Sequence, residues 1–176
     1  MNSTLRDLRI VRGMAAQLTR RRERIKAGEK PLGWKVGFGA PAAMEKLGID
    51  APLVGFLTDK ALVASGATIS LADWRKPVAE PEIAVYIGKD LRAGAERDAV
   101  KAAIAGLGPA IELADVDRPP DDVEQILAGN IYQRGVILGA RNTARAHGVL
   151  DGLCGRILRN GTEFAQTTDP QALTGE

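Results

Sequence analysis

Apolar residues recur at spacings of three and four along the first part of the chain, at Leu5, Leu8, Val11, Met14, Ala15 and Leu18, the pattern of an amphipathic helix. It predicts a helix over residues 3–27, capped by Asn2, Ser3 or Thr4 and ended by Gly28. The period then shortens. Leu32-Gly-Trp-Lys-Val-Gly-Phe-Gly predicts a short strand in which glycine lets backbone or ligand come close, followed by a helical turn over 42–47. Short strands are expected near 53–57, 61–64, 67–71 and 82–88, a helix over 96–106, and a strand over 109–114 leading into the acidic, proline-broken loop Asp115-Val-Asp-Arg-Pro-Pro-Asp-Asp. A short helix over 121–128 and a strand over 131–139 follow. Last comes a hairpin over 154–165 whose Arg159-Asn160-Gly161-Thr162 is a type I′ turn signal. The mixture predicts one α+β domain rich in β-structure.

Three acids stand out against this apolar background. Glu80 and Glu82 lie two apart at the mouth of an apolar strand, and Glu112 sits in Pro109-Ala-Ile-Glu-Leu. Side chains at i and i+2 of a strand share a face, roughly 7 Å apart. Two acids so placed either lean toward a common cation, with carboxylate oxygens suited to a hard divalent ion, or face water on an edge strand, where Pro81 would fit. Spacing alone leaves both readings open. Lys35 lies between Trp34 and Val36; its ammonium is either desolvated and available for acid–base work or carried to water on its stem. Asn130 closes one helix and opens a strand, as a hydrogen-bonding amide or as a plain left-handed helix end. His147, without a Ser or Cys nearby, reads as structural or surface, and Cys154, between apolar and glycine residues, as a buried, unreactive thiol.

Composition narrows the field. Among 176 residues, Lys plus Arg (24) nearly balances Asp plus Glu (22), so the charge announces no nucleic-acid partner. The basic run Arg20-Arg21-Arg22, with Arg24 and Lys26, reads as a solvated helix face or, less simply, as a phosphate or partner patch. One cysteine and one histidine exclude an intrachain disulfide and a Cys/His zinc site. A reducing cytoplasm is expected. No apolar run approaches the ~18 residues of a membrane span, and no signal-peptide core opens the chain. Gly-x-Lys-x-Gly-x-Gly lacks the spacing and ending of a phosphate-binding P-loop.

The ordered set Gly33-Trp-Lys35-Val-Gly-Phe, Leu47-Gly-Ile-Asp-Ala-Pro52-Leu-Val-Gly55-Phe-Leu, Glu80-Pro-Glu82-Ile-Ala, Pro109-Ala-Ile-Glu112-Leu and Asn130 resembles the 2-keto-4-pentenoate hydratase family. That family is a branch of the fumarylacetoacetate-hydrolase-like fold. The resemblance runs over about residues 30–165 and implies a mixed β-roll barrel of the fumarylacetoacetate-hydrolase C-terminal-domain type. It also implies an N-terminal helix (1–28) packed on a catalytic domain (29–176), and a metal site in which Glu80, Glu82 and Glu112 hold Mg²⁺ or Mn²⁺. Lys35 would contact substrate or shuttle a proton and Asn130 would orient substrate or site. The implied reaction is hydration of a short 2-hydroxy-2,4-dienoate or 2-oxo-4-enoate to a 4-hydroxy-2-oxo acid, as in aromatic-compound catabolism; decarboxylation or diketo-acid hydrolysis uses the same scaffold. Gly39 stands where relatives commonly carry Thr or Ser, and Val54 where they commonly carry an acid. The chain stops at Glu176, where relatives continue with a helix and strands. An incomplete barrel is therefore expected, with open edges that favour a homo-oligomer or a silent subunit beside a full-length homologue. No nucleic-acid or membrane partner is expected.

Overall fold

In a computed structural model that describes residues 7–169, the chain runs α1 (Leu8–Lys26), β1 (Pro31–Gly37), α2 (Pro41–Leu47), β2 (Leu53–Thr58), β3 (Pro77–Ile87), α3 (Arg97–Ala103), β4 (Ile104–Asp115), α4 (Val123–Ala128), β5 (Gln133–Leu138), β6 (Gly155–Arg159) and β7 (Thr162–Thr167). All strand pairing within the sheets is antiparallel: β1 with β2, β3 with β4 and β4 with β5, β6 with β7. The α+β class holds. The expected barrel is represented by three separate sheets, and none closes among the described residues.

The first helix forms where its periodicity predicted, but buries a different face. Its N-cap is Asp7, whose carboxylate accepts the Arg9 N–H at 2.9 Å; Asn2, Ser3, Thr4 and Leu5 lie outside the described residues. Gly28, at φ +100°, turns the chain out of the helix. The buried stripe is Ile10, Gly13 and Gln17, with Met14 half-buried, while Leu8 and Val11 are exposed. The reason is the partner helix α4. A Cβ on Gly13 would stand 2.7 Å from Leu127 Cβ and 2.8 Å from the Glu124 carbonyl oxygen, so only glycine allows this approach. One turn on, the fully buried Gln17 donates its amide to the carbonyls of Leu127 (3.0 Å) and Val54 (3.1 Å), giving a partner to a carbonyl of the last turn of α4. The helix is thus placed by a glycine and a polar side chain, neither of which an apolar count can see.

A core of Ile10, Leu47, Ile49, Leu53, Val123, Ile126, Leu127 and Ile131 joins α1, α2, β2 and α4. Two of the expected short strands do not form. Residues 59–61 make a 3-10 turn with a single bridge from Leu62 to Val136, and 67–71 pair with no strand among the described residues. The helix expected to 106 stops at Ala103, because Gly106, Gly108 and Pro109 are poor helix formers and the chain from Ile104 pairs instead along the length of β3. The terminal hairpin turns at Asn160 (φ +53°) and Gly161 (φ +78°) as its sequence demands. Among the described residues it pairs only with itself, and Cys154 is exposed rather than buried as expected. His147 lies on the surface. The basic run divides: Arg22 is solvated, whereas Arg21 stacks on Trp34 at 5.0 Å and Arg24 pairs with Glu29 at 2.9 Å. No helix among the described residues is long and apolar enough to cross a membrane.

Gly13→Ala is expected to destabilise the protein by about 1–2 kcal/mol, overpacking outweighing the gain in helix propensity. Urea denaturation of the variant against the wild type measures it; an unchanged midpoint would mean that α1 and α4 separate freely.

Candidate metal centre

Register decides which side chains meet. In the β3–β4 ladder Glu80 stands directly opposite Glu112, and Glu82 opposite Ala110, so all three acids share one face with Glu82 on the diagonal. Val136 of β5 flanks Glu112 on the same face. A carboxylate oxygen from each of Glu80, Glu82 and Glu112 lies within 4.8 Å of the other two. Like charges directly across a ladder destabilise it, and here the burial deepens from exposed Glu80 through half-buried Glu82 to fully buried Glu112. β3 pairs only with β4 among the described residues, which makes it an edge strand that tolerates Pro81 in mid-course.

The counter-charge arrives from β1. Lys35 is buried, and its Nζ hydrogen-bonds Glu112 Oε1 and, at 3.4 Å, the Ile131 carbonyl. Across from it in the β1–β2 ladder is Gly55. A Cβ there would meet Lys35 Cγ and Asn130 Oδ1 each at 3.0 Å, so the strand-interior glycine is the space through which the lysine stem passes. Gly55 was the missed signal, since a glycine inside an apolar strand marks a close approach. Val54, one residue earlier, pairs with Val36 on the opposite face. The acid expected there would therefore point away from Lys35. A Cβ on Gly39 would stand 3.5 Å from the Pro52 ring, so a Thr or Ser there would pack against the loop that precedes β2.

Asn130 is brought close but is engaged elsewhere. Its amide oxygen accepts the Phe56 N–H at 2.8 Å and its amide nitrogen donates to the Phe56 carbonyl at 2.9 Å, pinning β2 to the turn after α4. With Ile131 and Tyr132 it forms three consecutive left-handed residues, φ +59°, +53° and +59°. That turn delivers the Ile131 carbonyl to Lys35.

Burial pushes the Glu112 carboxyl up to about 7 even though Lys35 draws it back, with Glu82 and Glu80 adding to the rise. Burial also raises Glu82, against a downward pull from Lys35. Glu112 Oε2 is buried with no hydrogen-bond partner among the described residues. A buried, partnerless carboxylate oxygen on a residue grouped with two further acids fits a cation. An all-oxygen donor set suits Mg²⁺, Mn²⁺ or Ca²⁺.

The family model for the fumarylacetoacetate (FAA) hydrolase C-terminal region matches residues 34–173. The chain belongs to that family. The FAA hydrolase-family chain is 30% identical over 154 residues to a 4-oxalocrotonate decarboxylase from Pseudomonas sp, covering 84% of this chain and 60% of the relative. It is 30% identical over 145 residues to 2-hydroxyhexa-2,4-dienoate hydratase from Comamonas testosteroni, covering 80% of this chain and 55% of the relative. Among solved structures, 4-oxalocrotonate decarboxylase from Pseudomonas putida G7, complexed with magnesium and adipate, superposes with a TM-score of 0.79 at 25% identity, covering 92% of this chain and 62% of that one. The chain thus spans less than two thirds of the length of these relatives.

A carboxyl whose folded pKa is raised stabilises the fold below its unfolded value, and that contribution is lost as pH climbs through the folded value. The metal-free protein is therefore expected to lose stability between about pH 4.5 and about 7 through Glu112, and Glu112→Gln to flatten that loss. Urea midpoints across this range, wild type against variant, check it; parallel curves would remove Glu112 as the source.

Proposed function

We propose that this chain is a divalent-metal-dependent lyase of the hydratase type, adding water to a short 2-hydroxy-2,4-dienoate or 2-oxo-4-enoate to give a 4-hydroxy-2-oxo acid. The observation that carries the reading is the Glu80–Glu82–Glu112 cluster with its partnerless buried oxygen, set against the Lys35 ammonium. Membership of the FAA hydrolase family and similarity to relatives named as hydratases support it.

Glu80, Glu82 and Glu112 would hold Mg²⁺ or Mn²⁺. When bound, such an ion supplies Lewis-acid polarisation of the substrate's 2-oxygen. Lys35 has three N–H donors, two of them used on Glu112 and Ile131. The third is left for a substrate oxygen or for moving a proton. Hydration needs such a group: the 2-hydroxyl proton is lost, carbon 5 gains one to give the conjugated 2-oxo-3-enoate, then water oxygen bonds carbon 4 and a proton bonds carbon 3. Asn130 acts on the site through β2 and the turn, because both ends of its amide are bonded to Phe56. We assign the catalytic unit to residues 29–176, with the N-terminal helix packed on it.

EDTA-treated protein is expected to leave 2-hydroxypenta-2,4-dienoate unchanged and to consume its conjugated ultraviolet band once Mg²⁺ or Mn²⁺ is restored. Glu82→Gln is expected to weaken metal binding by on the order of 10–100-fold or more. Lys35→Gln is expected to keep the metal and lose turnover by on the order of 10²–10⁴-fold. Product analysis on a panel that includes 4-oxalocrotonate separates hydration from decarboxylation, and calorimetry that finds no difference in metal affinity between wild type and Glu82→Gln would overturn the metal assignment.

A further inference from the structure

Beside the turn that feeds Lys35, a concavity of about 140 Å³ opens between α1, the end of β4, α4 and the start of β5. That is several times the roughly 30 Å³ share of one water, enough for a ligand of a few heavy atoms. Its charged lining is Arg20, Arg118 and Arg134 against Asp115 and Asp117. Arg20 projects from the basic run of α1, and Arg134 from β5. Neither has an ion-pair partner among the described residues. Arg134 lies over the Trp74 ring at 5.0 Å, and stacking fixes a guanidinium plane while leaving its N–H edge free to bond an oxyanion in that plane. Gln133 also lines it, and its Nε2 is buried with no hydrogen-bond partner among the described residues. Buried amide donors are rarely left so.

The acids of the same lining are already committed. Asp115 accepts the main-chain N–H of Arg75 at 3.0 and 3.2 Å and that of Lys76 at 2.7 Å. Asp117 is paired with Arg118 at 3.0 Å, and Asp122, on the adjoining loop, caps α4 at the Gln125 N–H. Two arginines without an ion-pair partner among the described residues and one orphan amide donor therefore line a cavity whose two acids are engaged elsewhere.

We propose that this cavity binds a small oxyanion, phosphate or carboxylate, through Arg20, Arg134 and the Gln133 amide. The inference stands apart from the lyase reading, since no acid of the metal cluster lines the cavity.

Calorimetric titration of the full, EDTA-treated chain with inorganic phosphate, and separately with malonate, tests it. One of the two is expected to bind saturably, and Arg20→Ser to weaken that binding by about tenfold, the size of one charge-assisted contact. Gln133→Leu removes the orphan donor, so it is expected to abolish binding while raising the melting temperature of the ligand-free protein; the higher melting point also shows that the variant folds. Tighter phosphate assigns the occupant as a phosphoryl group, and tighter malonate as a carboxylate. Absence of saturable binding by both anions in the wild type, or equal binding by wild type and both variants as a general salt effect would give, overturns the site.

Discussion

The ion pair between Lys35 and Glu112 is the interaction around which the rest of the described site is arranged. Taking two charges out of water costs several kcal/mol for each, recovered only where geometry and further hydrogen bonds are good. Here the side chains come from different sheets, β1 and β4, so their meeting fixes one sheet against the other. Each sheet shows the accommodation. β2 carries Gly55 opposite the lysine, β4 turns Glu112 inward between two neighbouring strands, and the turn after α4 presents a carbonyl to the ammonium.

That pair does not neutralise its surroundings. Three carboxylates and one ammonium leave a twofold negative charge when all are ionised, and the ladder places Glu80 and Glu112 face to face. A protein with no use for the arrangement would gain by replacing one acid, because like charges across a ladder cost stability. Burial lifts the carboxyl of Glu112, the deepest acid, to about 7, so the metal-free chain holds the charged pair above that pH and relieves the charge with a proton below it. A divalent cation would match the remaining charge and would give the orphan oxygen of Glu112 a partner.

The site was legible in the sequence to the extent that it depends on strand alternation. Glu80 and Glu82 fall on one face because they are two apart, and Glu112 joins them because its segment pairs in register. The helix α1 was legible as a helix, but its buried face was not: burial went to Gly13 and Gln17 while Leu8 and Val11 stayed in water. Close helix approach selects for absence of a side chain, and a carbonyl near a helix end selects for a donor; neither need leaves an apolar mark. The strand β4 was underestimated for a related reason. Ile104–Leu107 carries small and apolar residues that suit a helix locally, and only its long-range pairing with β3 makes it a strand.

Asn130 opens a strained turn that its own side chain helps to hold. Three left-handed residues in succession, one of them the β-branched Ile131, cost roughly 1–2 kcal/mol each. Such strain persists only where surrounding contacts over-determine it. The Asn130 amide supplies two of those contacts through Phe56, and Ile131 supplies packing, buried in the core with Ile126 and Leu127. A helix ended by an ordinary glycine cap would send the chain to β5 without strain, but it would not bring a main-chain carbonyl to Lys35. The strained turn is thus the element that links the hydrophobic core to the ion pair, and it does so with backbone rather than with a side chain that could titrate or compete for a cation.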